Sequence, residues 1–317
     1  MKLIVLPRTV YKQTIGTKIY REVYFGNLVS SNADAESLNE WSDTGTYSYL
    51  DEVIVGALQT KYTATVDNPV GHPSTSTGWF GEGINANRML DRHFTTQTVF
   101  SANPAVIEFG TFNMTHLVGQ NIENAKTVTI EYIKADGTVD TALTATKEMY
   151  RVEDFNCDSC CNPEPVEVHH MYETLHADCE THTKVRISIE KIDTASPILI
   201  GVLSVGRAYS IGCALAGMTP ELTMPKGIEE FPAIQATGVA PANIETRIRG
   251  DVMIDRNHVD DMRKLFMNHG AYLNFYVFDE VDEVQSGVVL GRFTRFATPI
   301  ETANKVTVPI EVFGIIS

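Results

Sequence analysis

The chain has 317 residues, 43% of them apolar and 21% charged, and its 40 Asp and Glu outnumber its 25 Lys and Arg to leave a formal charge of −15. Such a composition belongs to a folded globular chain of two or three domains rather than a disordered one. The linear sequence holds no run of Lys and Arg that would displace counterions from a phosphate backbone, so nucleic acid is not expected as a partner; the acidic excess is read as a soluble surface, or as a face that meets a basic neighbour in an assembly.

Residues 1–36 are read as an extended arm or first strand pair. Thr17–Phe25 alternates in part and is rich in β formers, and Ser30–Ser37 reads as a linker or a short capped turn. Met1–Pro7 has only four apolar residues between Lys2 and Pro7, too few for a signal peptide. The longest mostly apolar stretch, Ile198–Val205, is far short of a membrane span. The expectation is a protein made and folded in the cytosol, with no membrane insertion.

Both tryptophans, Trp41 and Trp79, fall in residues 37–83. There Val53 and Val55, then Tyr62, Ala64 and Val66, alternate between clusters of Gly, Pro, Ser and Thr, which predicts three short strands with polar loops. So short a segment has little to bury except its largest rings. Trp41, Tyr47, Tyr62 and Trp79 are therefore its expected core. They are also its candidate glycan-binding residues, because aromatic faces pack well on the C–H faces of sugar rings.

Residues 84–214 predict an antiparallel β-sandwich. Strands are expected at Ala105–Phe109, Met114–Gly119, Thr127–Tyr132, Lys184–Glu190 and Ile198–Gly212, with a turn at Asp136-Gly137. Residues 215–242, with Pro220, Pro225, Pro232 and Pro241, read as an extended connector able to wrap a neighbouring surface. Residues 243–317 predict a small α+β domain with strands near 244–254, 272–278, 287–297 and 305–313. Its helix has Asn257 as N-cap, Asp260 at N3, an apolar face of Val259, Met262, Leu265 and Phe266, and Gly270 just past its end. Tyr272–Phe278 is apolar on both faces, so it is either a central strand or one whose second face docks on another subunit.

The discrete candidate site lies among the cysteines. Cys157-x2-Cys160 and Cys179-x2-His182 have the spacing of a tetrahedral zinc site, so Cys157, Cys160, Cys179 and His182 are candidate metal ligands and zinc a possible cofactor. A disulfide from Cys157, Cys160 or Cys161 to Cys179 is the rival, and a polar loop with free thiols the third reading. Cys213, in an apolar run, is expected in the core. Gly201-Val-Leu-Ser204-Val-Gly206 lacks the nucleophile-elbow spacing, and no His-Glu-x-x-His or phosphate-binding Gly loop occurs. The chain is read as a non-enzyme.

Trp41-x5-Tyr47, the acidic turn before Val53-x-Val55, Tyr62-x-Ala64, the Pro-rich loop and Trp79-x3-Gly83 together resemble the small chitin- and cellulose-binding modules of bacterial chitinases. That resemblance implies an aromatic face for sugar rings. Similar modules occur in virion proteins of tailed bacteriophages, and the chain beyond the module is similar to a family of phage tail virion proteins. The turn with Asn85, Asn87, Arg88 and Asp91, the sandwich strands through Arg207-Ala-Tyr209, and the ending Val306–Gly314 carry that likeness over residues 37–317. The implied fold is mainly β: a small three-stranded aromatic module, an antiparallel β-sandwich and a C-terminal α+β domain. The implied role is a structural protein of the tail tip or baseplate, located in the virion tail. Copies of itself would form a ring beside other tail or baseplate proteins, with host-surface glycan a further possible partner. The alternatives are a receptor-binding protein that recognises host glycan through residues 37–83, a polysaccharide-degrading tail enzyme, and a head decoration or connector protein.

Overall fold

Apolar and polar residues alternate with a period of two through most of this chain, and the chain follows that period into strands, with a single α-helix among the described residues. This computed structural model describes the chain apart from residues 16–17, 26, 56–59, 91–96, 112–113, 153–164, 168–169, 177–180, 216–218, 224–244, 271, 273, 278–287, 297–303 and 316–317. The first strands are β1 (Lys2–Val5), β2 (Arg8–Ile15), β3 (Lys18–Phe25), β4 (Leu28–Ser31), β5 (Asn39–Glu40), β6 (Glu52–Val55), β7 (Thr60–Ala64) and β8 (Trp79–Ile84). The middle of the chain forms β9 (Thr98–Phe100), β10 (Ala105–Gly110), β11 (His116–Glu123), β12 (Ala125–Lys134), β13 (Ala145–Glu148), β14 (Tyr150–Val152), β15 (Pro165–Glu167), β16 (His170–Thr174), β17 (His182–Lys191) and β18 (Ile198–Ser210). The last part gives β19 (Cys213–Ala214), β20 (Thr219–Thr223), β21 (Glu245–Asp255), the helix α1 (Val259–His269), β22 (Asn274–Val277), β23 (Val288–Phe296) and β24 (Lys305–Ile315).

A five-stranded antiparallel sheet, in the order β13-β12-β17-β10-β4, packs on the β16-β11-β18 part of a larger sheet, with β9 also paired to β18. Their inner faces share one core. Ile130, Ile187 and Ile107 lie side by side across β12, β17 and β10, all buried, and meet Leu117, Ile200 and Val202 from the opposing layer. Each such buried aliphatic side chain contributes about 1.5–3 kcal/mol. This is the predicted sandwich. Ser30 and Ser31, expected in a linker, instead belong to the edge strand β4, which pairs with Ile107–Phe109.

The larger sheet has eleven strands: nine run β16-β11-β18-β1-β22-β23-β24-β21-β19, with β9 paired to β18 and β20 to β21 off that path. Because β19 follows β18 directly in the chain, the far end of the order leads back to β18. Arg207–Ser210 pair with β1, while Cys213 and Ala214 pair with Met253 and Val252 of β21. The bend between them is Gly212, at φ 110°, where a side chain would run into Met253 and Ile254. A left-handed conformation in so confined a place admits only glycine. This ring of strands, closed from β19 to β18 through the chain at Gly212, surrounds a second core of Leu3, Ile211, Val252, Ile254, Val308 and their neighbours.

β1, from the N-terminal arm, is hydrogen-bonded on one side to β18 and on the other to β22, so a single sheet joins the sandwich to the C-terminal strands. Its residues alternate between the two cores, with Ile4 in one and Leu3 in the other. Asn274–Val277 behaves likewise and is buried on both faces: Phe275 and Val277 face the sandwich core, and Tyr276 faces the second core. The doubly apolar pattern of this strand marks a central strand. Burial drives the Tyr276 hydroxyl far above its ordinary pKa, so it stays neutral.

Helix α1 covers one side of the ring. Met262 and Phe266 are buried, Val259 and Leu265 pack beside them, and Phe266 stacks on Phe293 with ring centroids 3.9 Å apart. Its start differs from the expected one. Arg256–His258 forms a 3-10 turn that leads into the helix, so Asn257 is not the cap; His258 holds that position without a side-chain hydrogen bond. Gly270 keeps right-handed geometry at φ −64°, with its N–H bonded to the Phe266 carbonyl at 2.8 Å. What selects glycine there is crowding: a Cβ would sit 2.6 Å from that carbonyl oxygen.

Candidate functional site

Residues 37–83 form a separate four-stranded sheet, β5-β6-β7-β8, in which the two-residue β5 adds a parallel edge to the three expected strands. Two polar turns shape it. Asp51 accepts a hydrogen bond from the Ser48 N–H at 2.7 Å, and Asp67 accepts one from the Tyr49 N–H at 2.8 Å. The first is a local carboxylate-to-backbone bond of the kind that makes Asp a turn residue, and the second ties two turns 18 residues apart. Gly71, at φ 91°, reverses the following loop, and His72 Nδ1 receives the Ser74 N–H at 3.2 Å.

The four ring residues are brought together, as a core. Val53, Val55, Tyr62, Ala64 and Trp79 are buried, with Trp41 and Tyr47 packed against them half-buried. Tyr47 meets Trp79 edge to face at 5.1 Å, and its hydroxyl both accepts from the Ser42 N–H and donates to the Ser42 carbonyl. Trp79 and Tyr62 are 6% and 8% exposed, so both rings take the core place expected of them. The reason is size: a sheet this small excludes water from its centre only by spending its largest rings there. Trp41 retains partial access, with His72 against it at 4.7 Å; desolvation there holds the His72 pKa below 6.5.

What the module does expose was missed in the sequence. Among the described residues ten large hydrophobics are exposed, and five of them, Tyr49, Leu50, Val66, Val70 and Phe80, lie in this short segment. Phe80, 62% exposed, sits opposite Thr63 on the face turned away from Trp79. The signal was available: neighbours along a strand point to opposite faces, so a buried Trp79 requires an outward Phe80.

The Asn/Arg turn singled out in the sequence is the module's hinge point with the body. Glu36, where the chain enters, and Asn85, where it leaves, exchange hydrogen bonds. The Glu36 N–H donates to Asn85 Oδ1 at 3.2 Å, and Asn85 Nδ2 donates to the Glu36 carbonyl at 2.8 Å. The Glu36 carboxylate also holds the buried Lys61 ammonium at 2.6 Å and Arg88 at 3.7 Å, and Glu52 approaches Lys61 from the other side at 2.9 Å. Asn87, at φ 50°, accepts a hydrogen bond from Ser31 of β4. Asp91 lies outside the described residues. One carboxylate thus ties both ends of the insertion to its own sheet.

Of the candidate metal ligands, Cys157, Cys160 and Cys179 lie outside the described residues, as does the disulfide alternative through Cys161. His182 is described, and it is already engaged. Its ring is 4% exposed, Nε2 lies 3.3 Å from Asp140 and Nδ1 3.1 Å from the Thr181 hydroxyl, with the Tyr132 ring against it. Binding a metal would require His182 to give up one of these contacts. Among the described residues no three His, Cys, Asp or Glu side chains converge as a metal site. Cys213, expected in the core, is exposed: it follows the Gly212 bend and lies on its outer side.

Two further charged groups lie elsewhere on the molecule. On the outer face of the five-stranded sheet, Glu108 receives Arg186 at 2.9 Å, Ser30 at 3.0 Å and Lys184 at 3.2 Å. Burial would raise its pKa, but hydrogen bonds from Arg186, Ser30 and Lys184 outweigh it and hold the carboxyl below 4.5. Beside α1, a cleft of about 800 Å³ carries Asp255 and Asp261 against Lys264 and Lys305, so its rim charges cancel. No helix among the described residues is long and apolar enough to cross a membrane. No protein-family model, curated protein or solved structure matches this chain. The likeness to phage tail proteins therefore rests on residue pattern alone.

Proposed function

We propose that this protein is a structural component of a bacteriophage tail tip or baseplate, located in the virion after synthesis in the host cytosol. It assembles with copies of itself into a symmetric ring beside other tail proteins and holds the 37–83 module outward. Its work is assembly rather than catalysis. The observation that carries this reading is the ribbon β2–β3, a two-stranded sheet whose strands pair, among the described strands, only with each other. An isolated two-stranded hairpin is marginally stable in water, so a ribbon of this length requires a supporting surface. Closed rings obtain such support when each copy leans on the next. The mass of the full chain in solution tests this: a discrete ring-sized oligomer is expected, and a monomer at every concentration refutes it. Imaging of an intact particle would then assign the ring its position.

A second reading gives the module a receptor role, with host glycan as ligand. It is favoured by the concentration of exposed Tyr49, Leu50, Val66, Val70 and Phe80 on that unit. Glycan-array binding that is lost in Phe80→Ala with the fold intact would support it, and an array blank for the native chain would remove it.

A further inference from the structure

We infer that the β2–β3 ribbon docks on the acidic surface of a second copy of this chain through its positive charge, so that ring assembly is sensitive to salt. This rests on the assembly reading and names the contact that would produce it. Between Arg8 and Phe25 the sequence holds Arg8, Lys12, Lys18 and Arg21 against the single acid Glu22. The rest of the chain therefore carries more than the whole net charge of −15. The linear sequence hides this contrast, because the four basic residues are spread along it. Folding gathers them onto one ribbon.

The pairing register adds a second reason. Lys12 stands directly across from Arg21. That register sets two of the four basic positions side by side on the ribbon, which concentrates its positive charge for an acidic partner. The other positions include Tyr11, Tyr20, Tyr24 and Phe25, residue types that supply contact area at interfaces for little loss of side-chain entropy. Strands of eight residues reach about 25 Å at roughly 3.3 Å per residue, far enough to lie across a neighbouring subunit. Only Leu6 and Pro7 separate the ribbon from β1, which is fixed between β18 and β22. Four positive charges are few for a phosphate backbone, whereas each copy of this protein brings its own acidic surface. Charge complementarity of this kind mainly steers encounter and fixes register.

The experiment compares the full native chain with Lys12→Glu/Arg21→Glu and Lys12→Gln/Arg21→Gln, by sedimentation at about 0.05 M and about 1 M NaCl. The Debye length shrinks from above 10 Å to about 3 Å over that range. Hydrogen exchange is read on residues 8–25 in parallel. The native chain is expected to form an oligomer at low salt that dissociates at high salt, with the ribbon protected only in the oligomer. The Glu pair should weaken association at least about tenfold, and the Gln pair less. Both variants change charge at the same two positions, so a loss graded from native to the Gln pair to the Glu pair separates lost charge from lost structure. An oligomer unchanged by salt and by both variants overturns the docking inference and leaves the assembly reading standing. A native monomer under all conditions overturns both. A ribbon protected in the monomer overturns the inference in favour of docking on its own chain. Protection that appears only when a DNA duplex is added overturns it in favour of nucleic acid.

Discussion

Replacing Trp79 by alanine should unfold the 37–83 module and leave the rest of the molecule folded. Trp79 is 6% exposed, contacts Tyr47 edge to face and is the largest of five side chains buried in that small core. Removing a buried tryptophan costs about 3–5 kcal/mol. A unit this short, with no cysteine in residues 37–83 to cross-link it, has only about 3–5 kcal/mol to lose. Its folded state should therefore become the minority. The sandwich and ring cores share no residue with this cluster, so the loss should stop at the clasp formed by Glu36 and Asn85.

Trp79→Phe is the informative partner. The indole Nε1 is buried and finds no hydrogen-bond acceptor among the described residues, and an unsatisfied buried donor itself costs about 1–3 kcal/mol. Phenylalanine keeps much of the packing and removes that penalty, so the net change should be within about 1.5 kcal/mol. Hydrogen exchange resolved by peptide is the assay. Trp79→Ala should abolish protection in 52–55, 60–64 and 79–84 while 105–110, 185–189 and 198–205 keep native rates, and Trp79→Phe should be near native throughout. Equal loss in both variants, or loss spreading into β10 and β17, would refute the reasoning.

Glu36→Gln should loosen the module's base, since Lys61 then loses the carboxylate at 2.6 Å and the charge of Glu36 is gone, while Glu52 stays at 2.9 Å. About 1–2 kcal/mol of destabilisation is expected for a half-exposed carboxylate on a buried ammonium, measured by denaturant unfolding, with faster proteolysis near residues 36 and 85. Lys61→Met should be tolerated better than Glu36→Gln, because replacing a buried charge by an apolar chain of similar volume also removes its desolvation cost. Lowering the pH should protonate His72 only below 6.5, since its folded value is depressed; that linkage makes the module lose stability as pH falls below 6.5. The charged imidazole against Trp41 should quench its fluorescence, and a midpoint at or above 6.5, or quenching that survives His72→Asn, would count against the placement of this pair. Glu108 and Asp140 have folded values below their ordinary 4.5 and 3.8, so their stabilisation is present above those values and is lost as pH falls through the folded ones. Glu108→Gln should flatten acid unfolding in that window.

Periodicity disclosed most of the strands, because a half-buried strand must alternate whatever it pairs with. Asn274–Val277 advertised its central position by being apolar on both faces, and the face of α1 through Met262 and Phe266 was equally plain. Pairing across long separations was not legible. Lys2–Val5 sits between strands more than two hundred residues away, and a four-residue apolar run carries no label for its partners. The same limit hid the return of β19 to β21 and the like-charge pair Lys12–Arg21, both products of register rather than composition. Local chemistry also misled where burial overruled propensity. Asn257 is a good cap by type, yet the chain enters α1 through a 3-10 turn, and Cys213 lies in an apolar run but on the outer side of a glycine bend. In the module, the Trp and Tyr rings are legible as core from their size alone, whereas the outward Phe80 is legible only from the alternation of β8 around Trp79.

The position of β1 gives the proposed assembly its mechanical sense. A load on a docked ribbon would enter the body through Pro7 and pull along β1. That strand is antiparallel to both neighbours, and its hydrogen bonds to Arg207–Ser210 and Phe275–Val277 lie across the direction of pull. Such a force shears several bonds together instead of opening them one at a time. The start of the chain is fastened as well: the Met1 ammonium donates to the Gly212 carbonyl at 2.8 Å, and Ile211 donates to the Met1 carbonyl at 3.1 Å. Leu3 and Ile4, buried in opposite cores, must both be exposed before β1 can slide. At about 1.5–3 kcal/mol for each such side chain, withdrawing the strand costs several kcal/mol beyond its hydrogen bonds. Leu3→Ala/Ile4→Ala should therefore let the arm detach and release the barrel strands from the sandwich. Exchange at Phe275–Val277 and Arg207–Ser210 should rise together while Ile107 and Ile187 stay protected; protection retained at both edges of β1 would show that this strand is not the weld between the two cores.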